Sequence, residues 1–210
     1  MNISIILGSP KKGESTSQIL TKYLMSLLQK ENAEVLKVDS IAFKPEQITK
    51  AVNSDVLVFV FPLYLDSIPS HILRFMAELE KHSFNKETVV YCVINNGFYE
   101  GKQNHIAVEQ MKNWSKKVNV IWGQAMGVGA GEMIPFIKDV PLGHGPNKNM
   151  GTALKNLSLN IINKNTGTDM YVSPTWPRLL WKIQASLFVW YPRAKKNGLS
   201  KKDLFEKASI

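Results

Sequence analysis

Apolar positions along this chain follow two rhythms that take turns. Short continuous or alternating apolar runs give way to stretches in which apolar residues recur every three or four positions, and the pattern then repeats. Residues 2–8 read as a strand, and residues 16–30 as a helix with Ile19, Leu20, Tyr23, Leu24, Leu27 and Leu28 along one side. Ala33–Asp39 reads as a second strand and Pro45–Val52 as a short helix. Asp55–Phe61 is continuously apolar after its first residue, the pattern of a strand covered on both faces. Pro69–His82 follows as a helix, Thr88–Asn95 as a strand, Asn104–Lys116 as a helix, Val118–Ala125 as a fifth strand and Thr152–Asn163 as a helix.

Strands that alternate with helices predict an α/β fold: a doubly wound, five-stranded parallel sheet with helices on both faces and right-handed crossovers. Ligands of such sheets sit beyond the carboxyl ends of the strands, near the point where the strand order reverses. The segments that follow each strand are therefore the ones to inspect. This organisation predicts a domain over residues 1–165 and a C-terminal extension over 166–210. Within the extension a new helical pattern begins at Pro177, with Leu180, Ile183, Leu187 and Trp190 on one side and Arg178, Lys182 and Ser186 on the other. Trp181 and Phe188 widen its apolar surface. Three roles suit such a segment, in descending order: packing on its own domain, forming a homodimer face, and lying on an anionic membrane surface.

Composition narrows the class. The chain has 210 residues, 44% of them hydrophobic, as expected of a soluble globular protein. No run approaches the ~18 apolar residues of a membrane span, and the first residues read as a strand rather than a signal segment. Cys92, the single cysteine, lies in an apolar strand, where a buried thiol is expected. One cysteine excludes an intrachain disulfide and an all-cysteine metal site, so a cytoplasmic location is expected. The net charge of +9 is uneven: Met170 to Ile210 carries eight Lys/Arg against Asp203 and Glu206. No nucleic-acid-binding motif accompanies this basic segment, so nucleic acid is set aside as a partner.

The first inter-element loop carries the clearest chemistry. Gly8-Ser9-Pro10-Lys11-Lys12-Gly13-Glu14-Ser15-Thr16-Ser17 lies between a strand and a helix. Small residues leave backbone N–H groups accessible, hydroxyls donate, and the helix start adds partial positive charge, so the loop suits a phosphate. A nucleoside-triphosphate loop would need a lysine where Glu14 stands, and the dinucleotide spacing G-x-G-x-x-G is absent. A terminal monophosphate suits the hydroxyl-rich version better. An ordinary strand-to-helix turn with a serine N-cap is the plainer alternative.

Two further loops suit a flat ring. Pro62-Leu63-Tyr64-Leu65-Asp66-Ser67-Ile68-Pro69 is stiffened by two prolines and offers backbone N–H groups beside Tyr64, while Ser67 and Pro69 also resemble a helix start. Asn95-Asn96-Gly97-Phe98-Tyr99-Glu100-Gly101 combines close backbone approach with two aromatic surfaces. One phosphate and one planar ring at the same sheet edge point to FMN.

With these three loops in view, the chain resembles the NAD(P)H-dependent FMN reductase and quinone reductase branch of the flavodoxin-like proteins. Gly8-Ser9-Pro10-Lys11-Lys12 with Ser15-Thr16 resembles the family's phosphate loop, Pro62-Leu63-Tyr64 with Ser67 and Pro69 its P-x-Y-x-x-S-x-P segment, and Asn96-Gly97 its glycine-containing third loop. The match covers roughly the first 160 residues. The resemblance implies a sheet order of 2-1-3-4-5 and FMN binding by Ser9, Lys11, Ser15, Thr16 and Ser17 at the phosphate, and by Pro62, Leu63, Tyr64, Leu65, Asp66, Asn95, Asn96, Gly97, Phe98 and Tyr99 at the ring. It implies NADPH or NADH as co-substrate, a quinone, flavin, or nitro- or azo-aromatic as small-molecule acceptor, ping-pong turnover, and a homodimer. Neither a metal nor a catalytic side chain is expected, because the cofactor carries the chemistry.

Two departures separate this chain from its relatives. One cysteine removes the iron–sulfur flavoproteins, and the basic balance contrasts with strongly acidic electron-carrier flavodoxins. Lys11 keeps the charge of the relatives' arginine without its bidentate geometry. An FMN-binding electron-transfer protein that docks a redox partner without nicotinamide turnover is the alternative function.

The rest is less legible. Gly127-Val-Gly129-Ala-Gly131 admits either close packing or a backbone that bends under a substrate. Glu132 to Met150 reads as a long irregular excursion of the kind that forms lids, with His144 a candidate to face a substrate.

Overall fold

The computed structural model describes residues 1–206. These fall into two compact units, one spanning Met1–Thr175 and the other beginning at Trp176. In the first, the strands β1 (Asn2–Leu7), β2 (Asn32–Lys37), β3 (Val56–Pro62), β4 (Val89–Asn95), β5 (Ile121–Val128) and β6 (Met170–Val172) form one sheet of order β2-β1-β3-β4-β5-β6. Every pairing is parallel. The helices are α1 (Thr16–Leu27), α2 (Pro45–Val52), α3 (Ser70–Leu79), α4 (His105–Lys117) and α5 (Lys148–Asn163).

The period-two geometry of the strands divides the core into two layers. Leu57, Phe59 and Phe61 of β3 face one side, with Ile72 and Phe75 of α3 and Val108 and Met111 of α4. Val56, Val58 and Val60 face the other, with Leu20 and Leu24 of α1 and Leu154 and Leu157 of α5. Since β3 is covered on both faces, each of its valines and phenylalanines removes roughly 1.5–3 kcal/mol worth of apolar surface from water. Cys92 of β4 is fully buried, and burial holds its thiol well above the usual range.

The expected sheet gains a sixth strand. Met170-Tyr171-Val172 pairs with Met126, Gly127 and Val128 of β5, so the sheet reaches past residue 165, where the domain was expected to end. The strand has three residues, too few for a period to show, and a side chain before it fixes its place. Asp169 Oδ1 accepts from the Ala125 N–H at 2.8 Å and from Trp122 Nε1 at 3.2 Å, while Oδ2 pairs with Lys112 at 2.7 Å.

The fifth strand is also displaced from the expected 118–125. Helix α4 continues to Lys117, and Asn119 takes a left-handed turn (φ 57°) before the strand begins at Ile121. Gly123 is the extra residue of a bulge opposite Val90 and Tyr91, where a Cβ would stand 2.5 Å from the Tyr91 ring. The glycine series at the strand's end serves close packing: a Cβ on Gly129 would lie 2.2 Å from the Tyr99 carbonyl oxygen.

The second unit is built on one helix, α6 (Arg178–Ala185), which runs through a π turn (Ser186–Trp190) into α7 (Tyr191–Lys196). Pro192 accounts for the wide turn, because it has no N–H to donate and its ring crowds the carbonyl four residues back. Gly198 (φ 74°) ends the helix, with the Leu199 N–H returning to the Ala194 carbonyl at 2.9 Å. Lys201 Nζ then lies 4.7 Å from the centre of the Tyr191 ring.

Candidate functional site

Strand order reverses between β1 and β3, and there the loops after β1, β3, β4 and β5 meet. The first loop leaves β1 at Gly8, whose N–H donates to the Val60 carbonyl at 2.8 Å. A Cβ there would strike Ile72 at 2.4 Å, so glycine lets α3 close under the loop. His71, buried on α3, is hydrogen-bonded through Nε2 to the Gly8 carbonyl at 3.1 Å. Burial holds its imidazole below the usual range, against the raising effects of that bond and of Asp39, so the ring is neutral near neutral pH.

Ser15 caps α1: its Oγ accepts from the Gln18 N–H at 3.2 Å and retains a proton to donate. The amides of Thr16 and Ser17 open the helix beyond the reach of an intrahelical acceptor. Ser9, Lys11, Gly13, Glu14, Ser15, Gln18, Lys22 and Lys37 line a cavity of about 300 Å³ beside the loop. Lys22 at 3.3 Å and Lys138 at 2.7 Å neutralise Glu14 and hold its carboxyl below the usual range, with Lys138 the stronger influence. Asp39 pairs with Lys37 at 2.7 Å. With both nearby carboxylates paired, Lys11 and Lys12 leave the loop electropositive.

The second loop turns at its tip. Tyr64 and Ser67 exchange backbone bonds of 3.1 and 3.0 Å around Leu65 (φ 49°) and Asp66 (φ 56°). Two successive left-handed residues make a tight turn, and within the described residues the Leu65 and Asp66 N–H groups meet no acceptor. Leu63 N–H continues the sheet by donating to the Asn95 carbonyl at 2.7 Å. Ser67 does not cap α3, which starts at Ser70; its hydroxyl bonds Gln110 at 3.0 Å instead. Tyr64 and Leu65 are exposed, as is Phe98 on the third loop.

The third loop lies under the β5 loop. Ala130 N–H donates to the Phe98 carbonyl, Gly131 N–H to the Asn96 carbonyl at 2.7 Å, and Thr16 Oγ1 to the Gly131 carbonyl at 2.8 Å. Asn95 Nδ2 bridges Ser17 Oγ at 2.8 Å and the Phe61 carbonyl at 3.1 Å. Ser17 and Asn95 are thus buried struts between the loops, and Thr16 is held to Gly131; Ser9, Lys11 and Ser15 line the cavity at the first loop, and Tyr64 to Asp66, Gly97 and Phe98 are exposed. Tyr99 leans away, its hydroxyl bonded to the Pro174 carbonyl at 3.3 Å. Asn96 gives its Nδ2 to the Glu100 carbonyl at 3.2 Å, and its buried Oδ1 meets no donor among the described residues.

The long segment after β5 is pinned. Asn147 Nδ2 donates to the carbonyls of Ile137 at 3.0 Å and Val140 at 2.8 Å, and Tyr23 OH to that of Lys138 at 2.8 Å. His144 is exposed on it and bonds the Leu142 carbonyl of its own turn at 3.3 Å. Of the two readings of Gly127-Val-Gly129-Ala-Gly131, close packing is the one the structure shows: Gly129 and Gly131 lie against the backbone of the third loop. Among the described residues no cluster of histidine, cysteine and carboxylates could hold a metal ion.

These donors fit FMN. Hydroxyls and a lysine at the first loop would suit a phosphate, and two free amides with two exposed aromatic side chains at the next loops would suit a flat ring.

No protein-family model matches the sequence, and no curated protein is significantly similar to it. Solved structures do match. An NADPH-quinone reductase from P. pentosaceus superposes with a TM-score of 0.58 at 16% identity, covering 77% of this chain and 99% of that one. A flavodoxin from Streptococcus pneumonia TIGR4 gives 0.57 at 11% identity, covering 78% and 99%. An NAD(P)H:quinone oxidoreductase from Methanothermobacter marburgensis gives 0.54 at 12% identity, covering 77% and 97%. Matches that span nearly the whole of each of these proteins, on a parallel sheet that shares the expected order from β2 to β5, establish that this chain has the flavodoxin-like fold.

Proposed function

We propose that the protein is an FMN-dependent oxidoreductase that takes hydride from NADH or NADPH and delivers it to a small-molecule acceptor, a quinone, flavin, or nitro- or azo-aromatic. The observation that carries this reading is the meeting, at one sheet edge, of a hydroxyl-lined electropositive loop with two loops that expose aromatic faces. FMN, when bound, accepts and releases the hydride equivalent.

The chain's own residues have defined tasks. Ser9 and Ser15 supply hydroxyls to the phosphate, Lys11 supplies charge, and the first-turn amides of α1, those of Thr16 and Ser17, complete the cradle, while the Thr16 hydroxyl ties α1 to the Gly131 carbonyl. The Leu65 and Asp66 amides are the donors available to the ring's carbonyl edge, and Tyr64 and Phe98 shield its faces from water. Ser17 and Asn95 hold the loops in register, and no acid–base side chain is required.

The names of two similar structures, both quinone reductases, support a nicotinamide-dependent enzyme, while the flavodoxin supports the carrier alternative. The basic net charge of this chain favours the enzyme. Initial rates with NADPH or NADH and a benzoquinone, varied together, test the reading. Parallel double-reciprocal lines are expected. Intersecting lines would indicate a ternary complex, and no nicotinamide oxidation would leave the carrier.

A further inference from the structure

Among the described residues of the second unit, Ala194 alone is buried. Leu179, Phe188 and Trp190 are 68%, 69% and 55% exposed, and Leu180, Ile183 and Leu187 are exposed beside them. Leu180, Ile183, Leu187 and Trp190 follow at three- and four-residue spacing, so they form one stripe along α6 and the π turn. Lys182, Lys195, Lys196 and Lys202 are exposed on the same unit, whose acidic residues within the described range are Asp203 and Glu206. An exposed apolar stripe of this size marks a surface that some partner covers.

We propose that this segment is an interfacial helix that binds anionic phospholipid surfaces, its apolar stripe in the acyl boundary and its lysines at the headgroups. Charge selects this occupant. Residues 1–175 carry 18 Lys/Arg and 15 Asp/Glu, and the whole chain carries +9, so neither the rest of the chain nor a second copy is net acidic. An anionic bilayer offers both what the lysines need and what the stripe needs. Leucine, isoleucine, phenylalanine and tryptophan beside lysine are the composition of helices that lie in the interface. Among the described residues no helix is long and apolar enough to cross a membrane, so the segment would lie on the surface.

The test is flotation of the full-length protein with phosphatidylcholine vesicles, with and without phosphatidylglycerol. The protein should float with the anionic vesicles, remain behind with the neutral ones, and be released in about 1 M salt, where the Debye length is near 3 Å. Replacing Lys182, Lys195 and Lys196 together by alanine should weaken binding on the order of a hundredfold, since each basic residue near such a surface contributes about fivefold. The variant Leu187→Asp with Phe188→Asp should abolish flotation and keep the wild-type thermal melt, because half or more of each residue is exposed. Equal binding to neutral vesicles, or none to either kind, would overturn the proposal. So would a dimer in sedimentation velocity that Leu187→Asp dissociates while vesicles go unbound, which would assign the stripe to a second copy. Salt-sensitive binding to polyglutamate without flotation would assign it to an acidic protein.

Discussion

Asn95 and Ser17 join the end of β4 to the first turn of α1: Asn95 Nδ2 donates to Ser17 Oγ at 2.8 Å and, on its other side, to the Phe61 carbonyl at 3.1 Å. Both residues are buried, so neither bond can be exchanged for water. One amide therefore sets the distance between the phosphate loop and the two ring loops. Asn95→Ala removes the amide that bonds the buried Ser17 hydroxyl and should cost roughly 1–3 kcal/mol of stability. It should also weaken FMN binding without changing the charge of the site. Urea unfolding with and without FMN measures both effects, and an unchanged midpoint would show that the bond does no structural work.

A substitution at Lys11 tests the proposed phosphate site separately from the ring site. Lys11 is exposed and among the described residues pairs with no carboxylate, and a charge-assisted bond to a phosphate contributes about 1.5–3 kcal/mol. Lys11→Ala should weaken FMN roughly tenfold to a hundredfold and leave riboflavin, which has no phosphate, nearly unaffected. Equal losses for both flavins in fluorescence titrations would place Lys11 at the ring instead.

Gly129 has the tightest surroundings of the β5 loop. A Cβ there would stand 2.2 Å from the Tyr99 carbonyl oxygen and 2.7 Å from the Gly101 nitrogen, both backbone atoms that cannot swing aside. Gly129→Ala should therefore destabilise the fold by about 1–3 kcal/mol and displace the third loop, seen as a lower Tm and weaker FMN binding. At Gly97 a Cβ would meet nothing nearer than the Glu132 side chain at 3.9 Å, so Gly97→Ala should fold normally.

His71 makes stability depend on pH on the acid side. Burial lowers its folded pKa below the unfolded value near 6.5, so the unfolded chain binds the proton more readily. The stability it contributes is full above that unfolded value and is lost as pH falls through the depressed folded pKa. His71→Gln should flatten the loss below pH ~6 in melts followed by circular dichroism. A wild-type Tm that stays constant, or rises, as pH falls through that window would contradict the neutral imidazole.

Strands β1 to β4 were legible in the sequence because their apolar runs are long and end in small or proline-containing loops. The displaced β5 and the missed β6 show where that signal ends. Val118 and Val120 look like strand residues, yet one closes α4 and the other is buried beyond the left-handed Asn119. The place of β6 depends on Asp169 reaching Ala125, Trp122 and Lys112, a tertiary arrangement that no local period records. In the site, residue type identified the three loops but not which side chains serve as struts. Ser17 and Thr16 are adjacent hydroxyls, and helix geometry alone sends one inward to Asn95 and the other toward Gly131.

The most direct measurement is the visible spectrum of the protein reconstituted with FMN and freed of excess, followed anaerobically as NADPH or NADH is added. Twin flavin bands that remain with the protein and bleach at a stoichiometric amount of one nicotinamide are the predicted result. Bands that persist with both nicotinamides would contradict the enzyme and leave a carrier, and a colourless protein would contradict the site itself.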